Sequence, residues 1–166
     1  MMSYSGQRGS VTVEFAFAGA LCLMLIFTAV ELARLLFTWN SLADMTQRGA
    51  RAAAICPPFD DAISGLAVFN DPSSSGLSQT IPDLDTSHIQ IEYLDAVGNT
   101  GATGAAIQFV KVSINGYEYT PILLGLFGLN SPIAAPDFAA IVPKESLGAL
   151  PDPDNPGAGA VVTPCA

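Results

Sequence analysis

The sequence predicts an α+β protein: one long N-terminal helix whose first half spans a membrane, with a small antiparallel sheet packed on its distal half. Three observations predict it. Residues 8–37, RGSVTVEFAFAGALCLMLIFTAVELARLLF, form a membrane-length apolar stretch. Helical patterning without a proline then continues to Cys56-Pro57-Pro58. Beyond it the chain turns acidic, is punctuated by Gly and Pro, and carries alternating segments of strand length.

The helix is expected from Ser10 to Ile55. Gly19 and Gly49 are its only glycines, and Pro57 ends it by removing an amide donor and restricting the residue before it. At 1.5 Å per residue it is about 70 Å long, twice the thickness of a bilayer core. Phe15 to Val30 carries no charge, whereas Ala33 to Ala54 mixes Arg34, Asn40, Asp44, Gln47, Arg48 and Arg51 with apolar residues. Leu32, Leu35, Leu36, Trp39, Leu42, Ala43 and Met45 or Thr46 recur at helical spacing, so the helix should leave the membrane and carry one apolar stripe onto a soluble body. Arg8 favours an inside N-terminus, and Arg34, Arg48 and Arg51 pull the other way. The apolar run exceeds a secretory h-region, and no small-residue cleavage site follows it closely.

Asp60-Asp61 should open a short helix reaching Phe69, and Asn70 to Gly76 is a loop by composition. His88 to Leu94 alternates, with Ile89, Ile91 and Tyr93 inward, and reads as a half-buried strand. Residues 95–106 form a wide hairpin connection. Ile107 to Tyr119 is the longest strand candidate, with Val110, Val112 and Ile114 on one face, and Pro136 to Val142 supplies a third strand. From Leu147 onward the Pro-, Gly- and Asp-rich sequence reads as a flexible tail.

Charge and motif content bound the function. The net charge is −9, and past Cys56 only Lys111 and Lys144 oppose twelve acidic residues, so nucleic acid is not an expected partner. His88 is the only histidine; Asp83, Asp85, His88 and Glu92 lack the usual spacing of metal ligands, and Asp152 to Gly157 lacks the glutamate of a calcium loop. No phosphate-cradling glycine motif, HExxH or GxSxG is present. The expectation is a non-enzymatic protein without metal or cofactor.

Three features of the apolar regions ask for an explanation. Glu14 stands a few residues into the membrane stretch, where a carboxylate either snorkels to the membrane edge or is paired. Glu31 and Arg34, spaced i, i+3, either pair along one helix face or make a contact between subunits. Pro121 to Leu129, PILLGLFGL, is too short to span a bilayer. It is either a core-packing turn or short helix, or an exposed patch of Leu123, Leu124, Leu126 and Phe127 for a neighbouring chain or the membrane surface.

The pieces Arg8-Gly9, Val13-Glu14-Phe15-Ala16, Glu31-Leu32-Ala33-Arg34 and Arg48-Gly49-Ala50-Arg51-Ala52-Ala53-Ala54 carry a family pattern. Over residues 8–56 the chain resembles the TadE-like minor pilins, or pseudopilins, of the Tad (Flp-type) pilus, and more loosely so over Tyr117 to Gly128. The resemblance implies a pilin-like fold and cleavage between Gly9 and Ser10 by a membrane-embedded prepilin peptidase. Glu14 then becomes the fifth residue of the mature chain and a register contact with the Ser10 amine of a neighbour. It also implies assembly with other minor or major pilins and the Tad inner-membrane machinery, as an initiation or tip component. The organisation that follows is a leader over 1–9, a transmembrane part over 10–37, an extramembrane helix over 38–56, a periplasmic head over 57–146 and a tail over 147–166. The protein would reside in the bacterial inner membrane and become extracellular in the pilus. In an exported head, Cys56 and Cys165 are candidates for a disulfide, and Cys22 is a small apolar residue of the membrane stretch. The competing reading is an uncleaved single-pass anchored adaptor in the periplasm.

Overall fold

The computed structural model describes residues 8–68, 76–150, 160–162 and 165. The leader up to residue 7, most of the loop expected over 70–76 and the Asp152 to Gly157 segment lie outside the described residues. The architecture is α+β, a long apolar N-terminal helix with small antiparallel sheets. Helix α1 runs Arg8–Ile55 without interruption. The described residues divide into two compact units. One runs up to Phe37 and includes Tyr119–Ile133; the other is Thr38–Glu118 together with the described residues from Ala134 on.

In the second unit, α1 buries Thr38, Leu42, Met45, Thr46, Gly49, Ala50, Ala53 and Ala54, a row with the 3.6-residue period of a helix face. Leu42, Met45 and Thr46 of the expected stripe lie in that row, and the stripe's other members do not. Trp39 and Ala43 are only half-buried. Leu32 and Leu36, which belong to the other unit, are 54% and 49% exposed. Bulky Leu42 and Met45 are fully buried on this face, and at Gly49 closeness of approach decides the residue. A Cβ on Gly49 would lie 2.8 Å from the Ala67 Cβ and 3.2 Å from a Val112 methyl, so only glycine lets the helix come this near both neighbours.

Helix α2 spans Ala62–Ala67 with Asp61 as its N-cap, the expected end Phe69 lies outside the described residues, and the helix's first amide donates to Asp60 Oδ1 at 3.0 Å. The main sheet has order β1-β2-β5, all antiparallel: β1 Ile89–Leu94, β2 Phe109–Ile114 and β5 Phe138–Pro143. Its register sets Ile91 beside Val112 beside Ala140, and Tyr93 beside Val110 beside Val142. These side chains join Ala50, Ala53, Ile63 and Ile107 in one core. On the opposite face, cross-strand Glu92 and Lys111 pair at 2.7 Å.

The expected strand 107–119 is broken. After β2 comes Asn115-Gly116, with Gly116 at φ 72°, and a separate two-residue strand β3, Glu118–Tyr119, pairs with β4, Ile133–Ala134. The left-handed residue turns the chain out of the β2 ladder.

The last turn of α1 has carbonyls that no helical amide can reach. Residues 145–148 supply the donors: the Glu145 and Leu147 amides reach Ala54 O at 3.1 and 3.2 Å, and the Gly148 amide and the Ser146 hydroxyl reach Ile55 O. Within the segment read as a flexible tail, Leu147 packs on the core. Ala149–Leu150 (β6) pairs with Val161–Val162 (β7), and Cys165 is bonded to Cys56 with Cα atoms 5.6 Å apart.

Candidate functional site

The N-terminal part of α1 is an uncovered apolar surface. Val11, Val13, Phe15, Phe17, Leu21 and Leu25 are each more than half exposed. The helix is long and apolar enough to cross a membrane, and none of its most apolar window is buried. Gly9 and Ser10 lie in its first turn, and Glu14 stands one turn after Ser10 on the exposed surface. Glu14 has no ion-pair partner among the described residues.

Glu31, the second carboxylate in the membrane-length stretch, is 3% exposed. Four donors converge on it. The Tyr119 hydroxyl donates to Oε1, and the Ile122 amide donates to the same oxygen at 3.3 Å. The Leu123 amide donates to Oε2 at 2.6 Å, and Arg34 Nη1 lies 3.0 Å from Oε1. The Arg34 guanidinium also stands 5.9 Å from the centre of the Tyr119 ring. The pairing of Glu31 with Arg34 is therefore within one helix face, and it is half of a larger constellation.

Local chemistry builds that constellation. Pro121 has no amide hydrogen and holds φ near −65°, so the turn presents the next two amides, those of Ile122 and Leu123, to one acceptor. A 3-10 turn follows at Leu124–Phe127. It closes through the Gly128 amide on Gly125 O and the Leu129 amide on Leu124 O, at 3.0 and 3.1 Å. The apolar run is thus a short helical turn. Of the four residues expected in a contact patch, Leu123 and Leu124 are half-buried, and the side chains of Leu126 and Phe127 lie outside the described residues. Among the described side chains of the run, Ile122 and Leu129 are the exposed large apolar ones.

Sequence reasoning found Glu31 and Arg34 but not Tyr119 or the two amides, which lie 88 to 92 residues away from Glu31. One signal was available: a proline opening an apolar run directly after Tyr119-Thr120, in a chain whose membrane-length apolar helix contains a carboxylate needing donors.

The acidic residues around His88 do a different job. Asp85 accepts from the Ser87 amide at 2.8 Å, and His88 Nδ1 faces Asp85 Oδ1 at 3.0 Å, capping the 3-10 turn Thr86–His88. The Ser87 hydrogen bonds hold the Asp85 carboxyl below its usual range. Among the described residues no group of three His, Cys, Asp or Glu side chains is arranged to hold a metal. The Cys56–Cys165 bond ties the chain's last described residue to the end of α1, and the Cys165 amide also donates to Asp60 Oδ2 at 3.0 Å.

Residues 9–51 match the family model described as TadE-like protein. The match begins at Gly9, takes in Glu14, Glu31 and Arg34, and ends within the buried small-residue face of α1. No curated protein and no solved structure matches the chain.

Proposed function

From this TadE-like N-terminal segment, we propose that the protein is a minor pilin or pseudopilin of a Tad pilus, cleaved between Gly9 and Ser10 and assembled through its exposed helix. The observation that carries the reading is Glu14: an exposed carboxylate one helical turn beyond Ser10, without an ion-pair partner among the described residues and on an apolar surface that none of them covers. Cleavage at Gly9 places a new cationic amine on Ser10. An amine and a carboxylate that are each costly in hydrocarbon then gain by meeting across a subunit boundary. Such a pair also fixes axial register between helices, as buried polar groups do in other helical assemblies.

In this reading the partners are a prepilin peptidase, other pilins and the inner-membrane machinery. The protein sits in the bacterial inner membrane with its disulfide-bonded head in the periplasm, where oxidation is favoured, and it acts structurally rather than as an enzyme. Its place in the fibre is initiation or tip. Glu14→Ala should leave cleavage largely intact while abolishing co-purification with partner pilins and reducing piliation. Normal co-purification and normal piliation in that variant would refute the register role.

A further inference from the structure

Assembly through α1 leaves the apolar run after Tyr119 without a task. From Tyr119 through Pro136 the chain contains no charged residue. Ile122 and Leu129 are 60% and 56% exposed, in the same unit as the exposed Val30, Leu32 and Phe37 of α1. We propose that Pro121 to Leu129 dips into the lipid bilayer beside α1, with Glu31 as the internal acceptor that lets its irregular backbone enter hydrocarbon. The proposal rests on α1 being a membrane anchor, as stated above.

Depth follows from helix geometry. Glu31 lies seventeen residues beyond Glu14, about 26 Å along the axis at 1.5 Å per residue. The hydrocarbon core is about 30 Å thick. With Glu14 at one boundary, Glu31 falls just inside the other, and so do the two amides bonded to it. Non-helical backbone is tolerated at that depth only where its polar groups find partners within the protein. Here Pro121 brings no amide hydrogen, Ile122 and Leu123 donate to Glu31, and Gly128 and Leu129 donate to carbonyls of their own turn.

The arrangement serves both parties. A lone ionised carboxylate is costly in hydrocarbon, and Glu31 is instead met by four donors with Arg34 cancelling its charge. The occupant of the exposed face is lipid because Ile122 and Leu129 are exposed in the same unit as the bare apolar part of α1 that is read as the anchor. They continue the bare apolar surface of the helix to which their turn is bonded.

The test uses the full chain carrying Cys22→Ser, with the Cys56–Cys165 bond intact, in phosphatidylethanolamine/phosphatidylglycerol vesicles. A nitroxide is placed on a cysteine introduced at Ile122 or Leu129, with Leu25 and Asp44 as lipid and water references. Power saturation with oxygen and with a water-soluble nickel chelate reads the surroundings. Labels at Ile122 and Leu129 should favour oxygen over the chelate, as at Leu25, and lose that preference in Glu31→Ala while Leu25 keeps it. Chelate access at Ile122 and Leu129 with oxygen access at Leu25 would overturn the proposal and leave the anchor standing. Protection from both reagents would overturn it in favour of a covering protein. Chelate access at Leu25 as well would defeat the anchor and the proposal together. An unchanged oxygen preference in Glu31→Ala would overturn the part assigned to Glu31.

Discussion

Replacing Cys56 and Cys165 together by serine should cost the second unit a large share of its stability. The bond joins residues 109 apart in the chain. Closing a loop of that length lowers the entropy of the unfolded chain by about 16 cal/mol/K, or about 4.8 kcal/mol at 25 °C, in the chain-entropy treatment. Two things trim that figure. Unfolded chains retain some compactness, and measured losses for native disulfides run at about 2–5 kcal/mol. The native state keeps other ties at this point: the Cys165 amide on Asp60, and the amides and hydroxyl of residues 145–148 on the last carbonyls of α1. A loss of about 3–4 kcal/mol is therefore expected. Trp39, half-buried in the same unit, reports unfolding of the full chain in detergent by its fluorescence. With a urea slope of about 2 kcal/mol/M, the midpoint should fall by about 1.5–2 M, and adding reductant to the wild type should reproduce the shift. A double-serine midpoint within about 0.3 M of the oxidised wild type would refute the reasoning.

Two other perturbations follow from the packing and the turns. Gly49→Leu must push α2 or β2 away, since even its Cβ meets Ala67 at 2.8 Å. Overpacking of this kind outweighs the gain in helix propensity of roughly 1 kcal/mol, and urea unfolding should show a net loss of about 2–3 kcal/mol. Gly19→Leu, where nothing lies within 4 Å of the added Cβ, should leave the same transition unmoved. Asp95 organises the β1–β2 connection: it accepts from the Asn99 side chain and amide and from the Val97 amide at 2.8–3.0 Å. The Asn99 side chain first, then its amide, hold the Asp95 carboxyl below its ordinary value of 3.8. A carboxyl depressed by folding stabilises the fold fully above the unfolded pKa and loses that contribution as pH falls through the lower folded value. Acid should therefore weaken this hairpin only below about pH 4. A carboxyl-detected NMR titration should place the Asp95 midpoint below 3.8, rising in Asn99→Ala, and a midpoint above 3.8 in the wild type would contradict the assignment.

Much of the fold is legible in the sequence because its signals are local. The uninterrupted helix ends where Pro57 forbids its continuation, and β1 and β2 announce themselves by alternation. The helix face that packs was read correctly at Leu42, Met45 and Thr46 but not followed on to Gly49, Ala50 and Ala53, because hydrophobicity alone ranks Leu32 and Leu36 above them. Contact distance to α2 and β2 reverses that ranking, and it depends on neighbours that the sequence does not position. The division of β2 from β3 was available in Asn115-Gly116, a strong turn dipeptide, but the apolar alternation on either side of it reads as continuous. At the candidate site, Glu31 and Arg34 were found because their coupling is one helical turn long. Tyr119, Ile122 and Leu123 were not, since a carboxylate does not encode which distant amides will satisfy it.

In the function proposed above, the helix is released from a leader at Gly9 and then joins an assembly. Intact mass and N-terminal sequencing of the protein extracted from its native membrane, beside a Gly9→Leu variant, test it most directly. A wild-type chain beginning at Ser10 and an uncleaved variant are predicted. A functional wild-type chain that still begins at its initiator methionine would remove the Ser10 amine from the partnership with Glu14, and would leave an anchored adaptor in place of a pilin.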